Sequence, residues 1–255
     1  MKTLEESIAT AMDFNKNTAI VPFLPYIMQD FWALGTSPEM VINLVQKHSR
    51  NYSTLRVLDL GCGKGATSVK LAATLNCNCL GIDGIPEFIE TAKEKAQAYE
   101  AGTLCRFEVG DIREKIKTLD KFDVIVLGAI GQVFGNYYAT LTTLTKHLAT
   151  EGIIIINDAY IEDSSTFQHP AVLPRRELLA QIKQAEMELI DEFTGVANNE
   201  EYTEQFENIQ NRCKELIAEY PEKSSLFENY IQIQVAEYNV MENEVICLIM
   251  VLKNK

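Results

Sequence analysis

Residues 56–73 read RVLDLGCGKGATSVKLAA, and this stretch decides the fold class. Two apolar residues lead into Asp59, glycines stand at positions 61, 63 and 65, and a helix-compatible segment, Thr67–Leu75, follows. Glycine lets a backbone turn sharply and approach a ligand closely, and a helix N-terminus offers free N–H groups and a positive dipole end. The pattern therefore predicts a buried strand, a tight turn and a helix that begins over a nucleotide-like ligand.

The glycine turn fits two fingerprints. Gly61-x-Gly63-x-x-Ala66 satisfies the dinucleotide pattern G-x-G-x-x-G/A. Asp59-x-Gly61-x-Gly63-x-Gly65 resembles motif I of the class I S-adenosylmethionine (SAM) methyltransferases. A carboxylate at Asp59 would repel a pyrophosphate but attract the cationic amino-acid end of SAM. A structural alternative is that Asp59 only ties down the backbone of the turn.

Composition narrows the class of partner. The chain has 255 residues, 47% of them hydrophobic, which is enough for one large α/β domain or two small ones. Its formal net charge is −13. Such a surface repels phosphate backbones, so a nucleic-acid substrate is disfavoured.

Location and redox state are also predicted. No apolar run reaches the roughly 18 residues that span a bilayer, and the N-terminal residues MKTLEE lack an apolar secretory core. None of the six cysteines forms a C-x-x-C pair. We expect a cytoplasmic protein with reduced, mostly buried cysteines.

Strands and helices alternate through the middle of the chain, which predicts right-handed crossovers and a parallel sheet. The predicted strands are Leu55–Leu60, Asn78–Asp83, Cys105–Val109, Phe122–Leu127 and Gly152–Asn157, and the helices between them are Thr67–Leu75, Pro86–Glu100 and Tyr137–Thr150. Residues 153–156 are all isoleucine, as a strand buried on both faces should be.

The two ends of the chain read differently. Residues 1–50 are predicted to be a helical cover, with a helix that starts at Ser37-Pro38. Beyond Asp158 we expect a loop from Ser164 to Pro174, followed by helix Arg175–Met187 and strand Glu188–Gly195. A helical insertion over 198–241 and a last strand over 244–253 complete one domain, whose core is 55–195.

Acidic residues follow the second and third predicted strands. In an open parallel sheet, ligands bind at the carboxyl ends of the strands. Asp83, followed by Gly84, could accept hydrogen bonds from ribose hydroxyls. Asp111 could accept from an adenine amino group while Ile112 packs on the ring. Each carboxylate could instead be a structural cap.

From Leu55 to Gly195 the chain resembles the class I SAM-dependent methyltransferases, in the small-molecule branch typified by ubiquinone biosynthesis. The resemblance implies a Rossmann-like three-layer α/β/α sandwich: a seven-stranded, mostly parallel sheet with an antiparallel last strand, plus a helical cap. It also implies that Leu127 and Gly128 contact the transferable methyl. The full implied SAM-binding set is Asp59, Gly61, Cys62, Gly63, Gly65, Asp83, Gly84, Asp111, Ile112, Leu127 and Gly128.

Differences between this sequence and the motifs of related enzyme families narrow the range of possible acceptors. The segment after Leu127 is not the Asn/Asp-Pro-Pro-Tyr of enzymes that methylate amino groups of nucleic-acid bases. Gly128 and Asn157-Asp158 do not match the metal ligands of the catechol type, so no metal is predicted. No tyrosine is followed by lysine four residues later, which disfavours a short-chain dehydrogenase.

The sequence defines the residues that would bind the methyl acceptor less well than those that would bind the cofactor. Candidate bases are Asp158, Tyr160 and His169, and none is assigned, because a base is needed only if the acceptor must lose a proton. Tyr26, Phe31, Trp32 and Tyr160 are candidate acceptor-lining residues, although aromatic side chains at such spacing are often core. The leading hypothesis is methyl transfer to a small molecule by an enzyme that could be a homodimer. A SAM-binding protein without transfer and an NAD(P)-dependent oxidoreductase are the alternatives.

Overall fold

The computed structural model describes residues 2–13, 17–194 and 199–255. Within these residues, eight strands form one sheet, in the order β3-β2-β1-β4-β5-β8-β7, with the two-residue strand β6 paired to β5. The strands are β1 (Arg56–Leu60), β2 (Asn78–Asp83), β3 (Cys105–Val109), β4 (Phe122–Gly128), β5 (Leu148–Ile161), β6 (Leu173–Pro174), β7 (Met187–Thr194) and β8 (Ile246–Asn254). β8 runs antiparallel to both β5 and β7, and the other pairings are parallel.

Helices cover both faces of the sheet. They are α1 (Leu4–Asp13), α2 (Leu24–Ile27), α3 (Pro38–His48), α4 (Ala66–Leu75), α5 (Pro86–Ala98), α6 (Ile112–Lys115), α7 (Tyr137–Leu144), α8 (Arg175–Gln184), α9 (Asn199–Glu219) and α10 (Ser224–Asn243). Helices α3 and α4 pack on one face and α6, α7 and α8 on the other. The predicted three-layer sandwich with an antiparallel last strand is confirmed.

Strand β5 shows why the sheet is buried on both sides. Ile154 and Ile156 belong to the core under α7 and α8, whereas Ile153 and Ile155 belong to the core under α3 and α4. All four are at most 4% exposed. The run of four isoleucines is thus explained by alternation of side chains between two apolar layers.

Two predicted helix ends are wrong by three residues or more. The helix predicted to reach Thr150 ends at Leu144, because Leu148 already pairs with Phe122 as the start of β5. The helix predicted over Arg175–Met187 ends at Gln184, and Met187 opens β7. Glu186 between them has a φ of 59°, a left-handed conformation that stops a helix.

Three smaller differences concern strands and the insertion. The region predicted to be a loop up to Pro174 ends in β6, which pairs with Tyr160 and Ile161 of β5. Gly195 is the predicted end of a strand, and residue 198 is the predicted start of the insertion. Both lie outside the described residues. The last strand begins at Ile246 rather than at 244, since α10 continues to Asn243.

The N-terminal residues and the α9–α10 pair form an apolar cluster separate from the cores on the two faces of the sheet. Ile20, Leu24 and Ile27 pack there with Phe227 and Tyr230 of α10. The same cluster includes Ile85 and Phe88 at the start of α5. From here on we call residues 23–36 the cover and residues 199–243 the insertion.

Candidate active site

The turn after β1 adopts the conformation that its glycines predict. Gly61, Gly63 and Gly65 all have φ values between 53° and 73°, a region that disfavours other residues. Gly65 is the N-cap of α4. A side chain at Gly61 would collide with Ile130 from the loop after β4, so the two loops touch at this point.

Asp59 lies beneath this turn. Its carboxylate accepts a hydrogen bond of 2.7 Å from the Ser68 hydroxyl of α4, and the residue is 3% exposed. Burial, opposed by that hydrogen bond and reinforced by the nearby charge of Asp83, raises the pKa of Asp59 to about 6. The glycine turn therefore carries a buried acidic group at its base.

Asp83 holds the turn from the neighbouring strand. One carboxylate oxygen accepts from the Gly63 N–H and the other from the Ile85 N–H, each at 2.9 Å. Burial raises the pKa of Asp83, whereas these backbone hydrogen bonds lower it. Asp83 thus sets the shape of the glycine turn, and Leu4 and Ile8 of α1 approach closely over the next residue, Gly84.

Asp111 is bound within the protein. It is the N-cap of α6, accepting from the Arg113 N–H, and its two oxygens also accept from the Arg113 guanidinium. That guanidinium lowers the pKa of Asp111. Arg113 donates in turn to the carbonyls of Lys2 and Thr3, which fastens the segment before α1 beside the strand ends. Ile112 is buried in the core under α7.

A first pocket lies between the cover and the glycine turn. Its walls are Trp32, Leu34, Thr36, Asp59, Gly61, Cys62, Ala66, Thr67, Val126 and Gly128. Among these described residues Asp59 is the one charged side chain. A pyrophosphate here would face a carboxylate without a lining cation, which is unfavourable at short range.

Lys64, inside the glycine turn, is turned away from this pocket. Its ammonium donates to the carbonyls of Met28 and Phe31, which follow α2, the second at 2.5 Å. In return, Trp32 Nε1 donates to the Lys64 carbonyl at 2.9 Å. Burial lowers the pKa of Lys64 to about 8, although the charge of Asp30 opposes this. These reciprocal bonds hold the cover on the glycine turn.

A second pocket opens at the carboxyl end of β4, beside the residues where β5 stops pairing with β4. Its walls are Leu127, Ile130, Gly131, Gln132, Gly135, Tyr137, Thr140, Ile156, Asn157 and Asp158. It adjoins the first pocket, because Leu127 lines the second and Gly128 the first, and because Ile130 contacts Gly61. Asn157 pairs with Gly128 in the sheet and donates to the Gly35 carbonyl and the Thr36 hydroxyl of the cover.

Asp158 is the acidic group of the second pocket. One of its oxygens accepts from the Tyr137 hydroxyl at 2.5 Å, and the other accepts from the Ala159 N–H at 2.8 Å. Burial raises the pKa of Asp158, and the two hydrogen bonds partly offset the rise. The pKa of Tyr137 is raised by burial and by the adjacent carboxylate.

Most of the remaining predicted residues lie outside the two pockets. Tyr160 is 8% exposed in the core, with the Arg175 guanidinium 4.8 Å from its ring centre. His169 lies in the following loop, where Nδ1 accepts from the N–H groups of Ala171 and Val172. Tyr26 is 38% exposed and donates to Glu215 of the insertion, and Phe31 packs against the N-terminal cluster. Trp32 is the aromatic candidate that lines a pocket.

Sequence reasoning missed three groups at these pockets. Lys64 was visible inside the glycine turn, but its partners are more than 30 residues away. Tyr137 reads as an ordinary first residue of a helix, and its contact with Asp158 spans 21 positions. No local sequence pattern indicates that Thr36 lines a pocket. The Asn136 N-cap, which accepts from the Ala139 N–H at 3.0 Å, is the sequence feature that makes Tyr137 the first residue of α7.

Comparison with known proteins decides the family. The model of the family described as "Methyltransferase domain" matches residues 51–230, which include the glycine turn, both acidic strand ends and the second pocket. The chain belongs to the methyltransferase domain family. In the described part of this family member, no helix is both long and apolar enough to cross a membrane.

The chain is similar to two curated proteins over one stretch. It is 32% identical over 123 residues to the malonyl-[acyl-carrier protein] O-methyltransferase of Bacillus cytotoxicus, covering 47% of this chain and 41% of that protein. It is 31% identical over 119 residues to the ubiquinone biosynthesis O-methyltransferase of Rickettsia canadensis, covering 47% and 49%. The matches span about half the length of these relatives or less.

A solved structure shares the architecture of this methyltransferase domain. It is the SAM-dependent methyltransferase from Thiobacillus denitrificans in complex with S-adenosyl-L-homocysteine. The TM-score is 0.75 at 20% sequence identity, and the alignment covers 91% of this chain and 97% of that one. At this identity the likeness concerns the fold.

Proposed function

We propose that the protein is a SAM-dependent methyltransferase that transfers a methyl group to a small-molecule acceptor. Family membership supports methyl transfer. The observation that carries the choice of cofactor is the first pocket, where a left-handed glycine turn lies over the buried carboxylate of Asp59. This arrangement suits a ligand with a cationic amino-acid end and no phosphate.

The residues at the strand ends fit the parts of such a cofactor. Asp59 and the turn residues Gly61, Cys62, Gly63 and Gly65 would hold its amino-acid end. Asp83 and Gly84 would hold the ribose, Asp111 and Ile112 the adenine, and Leu127 and Gly128 would lie beside the methyl group. When bound, the cofactor supplies a sulfonium methyl with a neutral leaving group. The protein's own residues align the acceptor and exclude water.

A small acceptor suits the second pocket. That pocket adjoins the first at Leu127 and Gly128 and is closed on one side by the loop carrying Ile130 and Gln132. Gln132 donates to the Ala171 carbonyl at 2.8 Å, which joins this loop to the one after β5. The net charge of −13 supports an acceptor other than a nucleic acid.

Cofactor binding is tested by isothermal titration calorimetry with S-adenosylhomocysteine. We expect binding that Asp83→Ala weakens about 10- to 100-fold, because a charged acceptor and the support of Gly63 are both lost. Asp120→Ala is the matched control, since the side chain of Asp120 is 87% exposed in its ion pair with Arg56. Tight NADH binding with no response to S-adenosylhomocysteine would contradict the proposal.

Methyl transfer needs a second measurement. The protein is incubated with SAM labelled in its methyl group and a small-molecule metabolite extract, and we expect label in a low-molecular-weight product. Intact S-adenosylhomocysteine binding with no transfer to any extract fraction would instead support a binding protein that lacks the transfer step.

A further inference from the structure

The second pocket contains a carboxylate that the cofactor site does not use. Asp158 follows the last residue of β5 that pairs with β4, and its side chain lies on the same face as Leu127 and Ile156. Gly128, the β4 residue expected beside the methyl group, pairs with Asn157, the residue just before Asp158. Asp158 is therefore placed on the acceptor side of the strand ends.

The surroundings of Asp158 leave its charge without a cationic partner in the pocket. The described lining residues include no lysine, arginine or histidine. The titratable groups packed toward it are Tyr137 from α7, Cys247 from β8 and, two residues on, Tyr160 of the same strand. A buried carboxylate without a cationic partner is costly to keep charged, and a buried titratable group that lines a pocket is a candidate for a functional role.

We propose that Asp158, oriented by the Tyr137 hydroxyl, binds the acceptor through an N–H or O–H group on its attacking atom and takes up that proton. The acceptor is thus a hydroxyl or amine compound, which distinguishes it from carbon and thioether acceptors. This inference rests on the proposed function, because it assigns the acceptor side of the same reaction.

The step balances in atoms and electrons. A lone pair on the acceptor nitrogen or oxygen forms the new bond to the methyl carbon, and the sulfur–methyl bond breaks. Its electron pair stays on sulfur, which becomes neutral in S-adenosylhomocysteine, and the acceptor proton moves to a carboxylate oxygen of Asp158. The protonated carboxyl then loses its proton to solvent through the pocket opening.

Tyr137 has a separate positioning role. Its hydroxyl donates to one Asp158 oxygen while the Ala159 N–H holds the other, so the carboxylate plane is fixed by two donors from different elements. Because the tyrosine hydrogen bond stabilises the charged form, its removal should shift Asp158 ionisation to higher pH.

The test compares Asp158→Asn, Tyr137→Phe and the control Glu162→Gln, an exposed residue just beyond β5. With labelled SAM and the metabolite extract, Asp158→Asn should slow transfer about 10²- to 10⁴-fold, the usual contribution of a positioned base. Its affinity for S-adenosylhomocysteine should stay within about twofold of the wild type, and Glu162→Gln should match the wild type in both respects. Product analysis should find the new methyl on nitrogen or oxygen.

Two readouts separate a catalytic role from a structural one. In the pH profile of the transfer rate, the acidic limb should move to higher pH in Tyr137→Phe. The carboxyl ¹³C resonance of Asp158 is assigned by its absence from the spectrum of Asp158→Asn. In Tyr137→Phe this resonance should titrate at a correspondingly higher pH than in the wild type. Unchanged transfer in Asp158→Asn, an unmoved limb and resonance in Tyr137→Phe, or methyl found on carbon or sulfur would each overturn the inference while leaving the proposed function intact. Loss of S-adenosylhomocysteine binding in the wild type would overturn the proposed function first.

Discussion

At the scale of single residues, the buried carboxylate of Asp59 lowers folding stability at neutral pH, although its charge suits the proposed cofactor. Its folded-state pKa of about 6 lies above the ordinary value of 3.8, chiefly because of burial. Between these two values the folded state binds more protons than the unfolded chain, so folding stability falls as pH rises through that window. Above pH 6 the full cost is present, on the order of 3 kcal/mol for two pKa units.

Asp59→Asn should therefore stabilise the protein at neutral pH while weakening cofactor binding. The asparagine keeps an oxygen for the Ser68 hydroxyl but has no charge to desolvate. In thermal denaturation, the melting temperature of the variant should exceed that of the wild type by several degrees at pH 7.5, since about 1 kcal/mol corresponds to 2–4 °C in a chain of this size. The difference should shrink at pH 5. A variant that melts lower than the wild type at pH 7.5, or binds S-adenosylhomocysteine equally well, would contradict this account.

At the scale of elements, the cover depends on the glycine turn for its position. Met28 and Phe31, which follow α2, offer carbonyls, and Lys64 donates to both from a buried site. Trp32 and Thr36, which follow in the cover, line the first pocket. Lys64 thus acts on the first pocket through the cover and is not among the residues that line it.

Lys64→Met should lower cofactor affinity without removing any pocket-lining side chain. The methionine fills a similar volume but leaves the carbonyls of Met28 and Phe31 without their donor, a loss of about 1–3 kcal/mol. We expect the dissociation constant of S-adenosylhomocysteine, measured by calorimetry, to rise about 5- to 100-fold. The control is Lys70→Met, because Lys70 also lies over the Trp32 ring, at 5.4 Å, but is bound to Glu39 outside the pocket. Equal affinities in the two variants would show that the cover is held in another way.

At the scale of the whole molecule, two kinds of contact join the insertion to the cover. Arg212 makes a two-point ion pair with Asp30 at 2.7 and 2.8 Å, with both side chains under 30% exposed. Phe227 is fully buried and meets Phe23 edge to face, with ring centres 4.9 Å apart. Partly exposed ion pairs contribute about 0–1 kcal/mol, whereas loss of a buried phenylalanine costs about 3–5 kcal/mol. Apolar packing should therefore dominate this junction.

Phe227→Ala and Arg212→Gln test that order directly. Urea denaturation should show a loss of about 3–5 kcal/mol in the free energy of unfolding for the first and less than about 1 kcal/mol for the second. Phe227→Ala should also weaken S-adenosylhomocysteine binding, since the same cluster supports α2 and the start of α5. If Arg212→Gln lowered the free energy of unfolding as much as Phe227→Ala, the ion pair would be the main contact that holds the insertion to the cover.

Local patterns in the chain predicted the layered fold, the glycine turn and the positions of the acidic residues at the strand ends. The strand, glycine turn and helix at 56–75, and the buried isoleucine strand, follow from side-chain periodicity and from the conformations that glycine permits. Both are properties of neighbouring residues. The acidic residues at the strand ends could be placed for the same reason, because parallel strands bring their carboxyl ends to one edge.

Tertiary structure alone decided the contacts that cover the first pocket and hold the carboxylate in the second. The end of α7 was set by the pairing of Leu148 with Phe122, not by helix propensity. The bond between Tyr137 and Asp158 and the hold of Lys64 on the cover join residues from different elements, whose partners no local pattern specifies. The sequence by itself determined the glycine turn and the acidic residues at the strand ends, on which the proposed cofactor site depends. How the first pocket is covered, and how the carboxylate in the second pocket is held, depend on packing between distant segments.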